Sequence, residues 1–242
     1  MDEEEKVENP VEENYTEETT QDKKSETAKK VAEEANKIKD ETKETVNQVK
    51  ETLKNTDFKK DASETKGFVK EMFANPIEAV KRAASEENIF GKVVILMIVF
   101  LAASLLGTLV SRRSYYGLGG IIKSVVLSIL LPLVNVIAYS LSGFVLQGSN
   151  KKKLTTVIST VVVAYVPIIC TYIIDILENL VSEVTLVTSP ISLALKAVSV
   201  VLGYFGFKEL TNEENGGKAL RKYAVIIFVA QLIIRVVSRI LY

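Results

Sequence analysis

The chain has no histidine and no tryptophan, and Cys170 is its only cysteine. Without histidine, neither a Ser-His-Asp nor a Cys-His nucleophile set can form. One cysteine rules out a disulfide framework within the chain, and the lack of histidine removes a Cys/His metal cluster. There is no glycine-rich phosphate loop ending in Gly-Lys-Ser/Thr. "YYGLGG", Tyr115 to Gly120, lacks the lysine and reads as a turn. The sequence therefore points to a non-enzymatic protein with no cofactor, no metal and no nucleic-acid partner. Its acidic start has no basic region ahead of an apolar stretch, so no cleavable signal peptide is expected and the spans themselves act as the insertion signal.

What is present divides in two. Of 242 residues, 48% are hydrophobic and the formal net charge is +0. Residues 1–66 carry roughly −7 by count, and the remainder roughly +7. After Val93 the sequence is dominated by Val, Ile, Leu, Ala and Ser, more continuous apolar sequence than a soluble domain uses.

Residues 1–27 are acidic and poor in apolar side chains, and are expected to be disordered. Residues 28–66 read as a cytoplasmic helical spacer. In it Val31, Ala35, Ile38, Thr42, Val46, Val49 and Leu53 form a stripe repeating every ~11 residues, close to three helical turns. Glu33 and Lys37 are oriented as an i,i+4 pair. The thin stripe suits either docking on a membrane or partner, through residues 28–55, or a solvated spacer. The membrane domain takes up residues 67–242. At its start Phe68, Val69, Met72 and Phe73 form an apolar patch. Asn75-Pro76-Ile77-Glu78 then has the order of a helix start, with Asn75 as cap. Ile77, Val80 and Ala84 share a face, which suggests an interfacial helix leading into the first span.

Five segments are long enough to span: 93–110, 121–146, 154–174, 190–207 and 223–240. The expected fold is all-α, a polytopic membrane bundle of five transmembrane helices preceded by a disordered acidic tail and an amphipathic helix. About eleven basic residues flank one side of such a bundle and about five the other, which places the N-terminus in the cytoplasm and the C-terminus outside. The Lys/Glu/Asn/Ile-rich composition suggests a bacterial cell membrane; a eukaryotic chain would sit in an endomembrane.

Pro132 and Pro167 lie inside the second and third spans, where each leaves a backbone carbonyl without its usual donor. Thr171 and Tyr165 are nearby candidates to satisfy it. The prolines read as packing kinks or as hinges. Asn135 is placed to hydrogen-bond across helices. On the fifth span Gln231, Arg235 and Arg239 recur every four residues. Asp175, Glu178, Lys123 and Lys196 fall near the same outer side. Charges in hydrocarbon pair, face inward or snorkel. The expectation is an outer polar layer in which Asp175 and Glu178 meet Arg235, Arg239 or Lys196, with snorkelling to headgroups as the alternative. Cys170 is expected to be structural.

Three stretches together resemble the Yip family of Ypt/Rab-interacting membrane proteins. They are "NPIEAVKR", "LSGFVLQGSNKKKLTTVISTVVVAYVPIIC" and "GYFGFKELTNEENGGKALRKYAVIIF". Asn75-Pro76, Gly148, Tyr165 to Pro167 and Lys218-Ala219 match the family's pattern, the Tyr–Pro spacing being one residue shorter. The resemblance covers residues 70–242 and implies a five-span core. For eukaryotic members it implies vesicle traffic and binding of prenylated small GTPases; for bacterial relatives, a multispan membrane protein.

Two functions follow as expectations. One is a membrane scaffold or recruitment platform in the lipid bilayer, engaging a cytoplasmic protein partner through residues 28–55. The other is a small transporter or channel component, its kinked helices at Pro132 and Pro167 lining a polar cavity with Asn135.

Overall fold

A computed structural model describes residues 18–55, 58–86, 89–112, 118–147, 152–181 and 185–241. Among them are nine α-helices and no strand. The chain divides into two compact units, Met1–Lys43 and Glu44–Tyr242.

The first unit contributes the beginning of α1, Glu18–Asn55. This helix starts at Glu18, upstream of Ala28; residues 1–17 of the expected acidic tail lie outside the described residues. Glu, Lys and Gln lose little rotamer freedom in a helix, so the helix tolerates them at its start. In the second unit α1 continues to Asn55. There Val46 and Leu53 of the stripe remain 46% and 42% exposed.

Next come α2, Phe58–Ala74, and α3, Pro76–Ser85, joined at Asn75. Asn75 occupies the cap position but makes no side-chain cap bond. Pro76 instead starts the helix through its fixed φ, and the Asn75 carbonyl accepts from Ala79 N at 3.0 Å. One face of the pair is buried against the rest of the bundle. Phe68 and Met72 join Val93, Leu96 and Phe100 in the main core, and Ala79, Val80, Ala83 and Ala84 are fully buried while Ile77 is exposed. The small alanines let α3 lie close along its neighbours. A Cβ on Gly206 would stand 2.6 Å from Val80 Cγ1 and inside contact distance of Thr160 Cγ2, so only glycine fits there. Arg82 fastens α3 to α2: its guanidinium donates to both Glu71 oxygens, at 3.0 and 2.9 Å, and through Nε to Glu86 at 2.9 Å. Those bonds, Glu86 first and Glu71 next, raise the Arg82 pKa.

The spans follow. α4 is Phe90–Arg112, α5 Leu118–Val145, α6 Leu154–Ala164, α7 Val166–Leu180, α8 Thr185–Thr211 and α9 Gly216–Leu241. Four of these helices are long and apolar enough to cross a membrane, and the pair α6–α7, bent by 42°, makes a fifth if taken as one span. The protein is an integral membrane protein of all-helical fold. Several helices outrun the expected spans. α8 begins at Thr185 with Pro190 inside it, and α7 continues past Ile174 to Leu180. Most of the connection expected between the third and fourth spans is therefore helix.

α3 packs on α6 and α8, α5 on α9 and α4, and α7 on α8 and α4. α8 ends in a glycine-free version of a common stop. Asn212 takes the left-handed conformation at φ 46°, Glu213 N donates to Lys208 O at 3.3 Å, and Asn212 N to Glu209 O at 3.2 Å. Glu213 then reaches α9, at 3.1 Å from Lys222 and 3.5 Å from Lys218. These lysines, led by the Lys222 bond, hold its carboxyl below the usual range.

Candidate intramembrane cavity

The two span prolines set up the site. Pro132 has no N–H, so the carbonyl of Ser128, four residues back, loses its helical donor. Ser104 on α4 replaces it, its Oγ donating to Ser128 O at 2.8 Å. α5 therefore runs unbroken through Pro132. At the second site the helix breaks. Tyr165 ends α6 and precedes α7, with Pro167 in the first turn of α7, where its missing N–H is harmless. Ile168 N turns to Tyr165 O at 2.8 Å and abandons Ala164 O, its normal partner. Ser199 on α8 donates its hydroxyl to that carbonyl. The carbonyl freed at the break is thus satisfied from a neighbouring span, while Thr171 bonds Ile168 O in its own helix; the carbonyl that Pro167 itself leaves without its helical donor is that of Val163.

Between these repairs lies a cavity of about 380 Å³. α5 contributes Pro132, Asn135 and Tyr139 to its wall. The break and α7 contribute Tyr165, Ile168 and Tyr172. α8 adds Lys196, Ser199 and Val200; α9 adds Tyr223 and Gln231; and Phe100 of α4 closes one side. Aromatic pairs fix the wall. Tyr139 meets Tyr165 edge-on at 5.6 Å, and Phe100 meets Tyr172 at the same distance. Gln231 Nε2 donates to Tyr139 Oη at 3.0 Å. Gly203 leaves room for Tyr223, whose ring carbon Cζ would stand 3.0 Å from a Cβ there.

Asn135 lines the cavity, but its amide nitrogen donates to Leu131 O of its own helix at 2.8 Å, not across helices as expected. One turn of helix brings the two atoms together before any neighbour is in reach. Pro132 lines this cavity and Pro167 does not. Pro167 lines a smaller space of about 120 Å³, together with Met72, Phe73 and Pro76. That contact also carries the α2–α3 joint to Leu195 and Val198, mid-way along α8.

The six residues expected in an outer polar layer fall on three helices. Asp175 and Glu178 stand on α7, Lys196 on α8, and Gln231, Arg235 and Arg239 on α9. α7 packs on α8, and the fields of Glu178 and Lys196 reach Asp175. Glu178 accepts from the hydroxyl of Thr188. Arg235 and Arg239 are exposed on α9, which packs on α5 and α8. Gln231 turns to Tyr139 instead. Cys170 is half-buried on α7. Among the described residues no three of Asp, Glu and Cys converge as a metal site would require.

The residues the sequence reading passed over are Ser104, Ser199, Tyr139, Tyr172 and Tyr223. A signal for them exists: tyrosines within apolar runs need a partner for each hydroxyl, and serines opposite a span proline are natural donors. No family model, no curated protein and no solved structure matches the chain.

Proposed function

We propose that the membrane core holds a small ligand in the cavity between α5, α7, α8 and α9, as the ligand-binding part of a transporter or channel component. The cavity itself carries this reading. A scaffold that needs only helix packing has no use for Asn135, Lys196, Gln231 and four tyrosines converging within its spans. The broken span supports the same reading, because α7 can re-angle about Tyr165 while Ser199 keeps Ala164 O satisfied. The test is native mass spectrometry of the full chain released gently from its own membranes. A bound species present in the wild type and lost in Asn135→Phe, which fills the cavity, supports the reading; identical spectra sink it.

A recruitment platform is a second reading, favoured by the uncovered stripe residues Val46 and Leu53 on α1. It predicts partners in affinity purification of the intact chain that vanish from a chain starting at Gly67. Under both readings we take the N-terminus as cytoplasmic, on the excess of basic flanking residues on that side, and the cell as bacterial, on the Lys/Glu/Asn/Ile-rich composition. Residues 70–242 are taken as a Yip-like core on the order of Asn75-Pro76, Tyr165 to Pro167 and Lys218-Ala219. Reporter fusions at each loop test the orientation.

A further inference from the structure

We infer that the cavity takes the anionic head of a single-chain amphiphile, a carboxylate or phosphomonoester, admitted sideways from the bilayer between α8 and α9. This rests on the reading that the cavity holds a ligand.

The mouth and the floor differ. Lys196 and Val200 of α8 and Gln231 of α9 are exposed, whereas Phe100 of α4 and Pro132 of α5 are buried. α8 and α9 are both spans, so an opening between them faces lipid. Lys196 lies about 17 Å along α8 from Thr185, at 1.5 Å per residue. It therefore stands well inside the helix rather than at an end where it would snorkel.

Lys196 is the only charged residue in the lining among the described residues. The other polar groups there are neutral. Among them, Tyr139 accepts from Gln231. An ammonium among neutral donors suits an anion. It gives no advantage to a neutral head and repels a cationic one. A volume of about 380 Å³ accommodates a small head and its first methylenes while the rest of the tail stays in lipid.

The experiment uses the full chain in phosphatidylcholine nanodiscs. Binding is measured for oleate, oleyl phosphate, oleyl alcohol and an oleyl trimethylammonium salt. The expected result is that both anions bind at least about tenfold tighter than the alcohol and the cation. Lys196→Gln abolishes that preference, and Lys196→Arg keeps it. Competition by acetate or inorganic phosphate supports the anion site and identifies a soluble anion as its source; failure to compete supports a lipid source. Equal binding of alcohol and oleate, or a preference that survives Lys196→Gln in a variant with wild-type melting temperature, overturns the inference. If all probes bind equally and Asn135→Phe abolishes them, the cavity reading stands and only the anion is lost. If Asn135→Phe changes nothing for any probe, both fall.

Discussion

Ser199 of α8 donates its hydroxyl to the carbonyl of Ala164, the group left without a donor where the third span breaks. The same arrangement recurs at Pro132, where Ser104 of α4 serves Ser128 O. Each span proline is thus tied to a neighbouring helix by one serine. Those ties hold the walls of the cavity in place. In hydrocarbon no water can take over either bond.

Ser199→Ala is expected to lower the stability of the membrane domain by ~1–3 kcal/mol, the cost of an unsatisfied buried carbonyl. Combining it with Pro167→Ala should reduce that cost, because Ile168 N can return to Ala164 O when the helix closes. Unfolding in mixed micelles, read as a double-mutant cycle, checks this. Strictly additive effects would mean that the hydroxyl and the break are unconnected.

Gly206 is a point of close approach between α3, α6 and α8. Gly206→Ala pushes against Val80 and Thr160 and is expected to cost ~1–3 kcal/mol as overpacking. Val80→Ala should recover part of that loss. Thermal unfolding of the two single variants and the double variant measures it.

Glu213 is held below the usual carboxylate range by Lys222 and Lys218. Its folded pKa lies under its unfolded one, so its contribution is full above the unfolded value and fades as pH falls through the folded value. Hydrogen-exchange protection in the 212–218 connection, taken relative to the intrinsic exchange rate at each pH, should therefore fall in acid, beginning below about pH 4.3. Glu213→Gln should show the lower protection at neutral pH already and little further change on acidification.

Much of the fold was legible in the sequence, for a simple reason: apolar length is a strong signal, and each of the five expected segments lies on span helices. Helix ends were less legible. Asp175 and Glu178 fell just beyond the expected third span, which ended at residue 174, yet they extend α7, because a formed helix continues through polar residues. Asn75-Pro76 correctly marked the start of α3. Nothing in its sequence showed that this helix would pack into the core, since that depends on Gly206, more than a hundred residues away. The cavity was only half legible. Pro132 and Asn135 were in view, but the serines and tyrosines belong to other spans, and their meeting is set by helix packing rather than by local pattern.

The most direct test of the cavity is photo-crosslinking of the full chain in membranes with a fatty acid carrying a diazirine near its carboxylate, followed by peptide mapping. The account predicts labels concentrated on the wall residues Tyr139, Tyr165 and Tyr172 and on Lys196, and their loss in Asn135→Phe. Labels spread over the outer faces of α8 and α9, at Leu186, Phe228 or Ile240, and unchanged by that substitution, would contradict it.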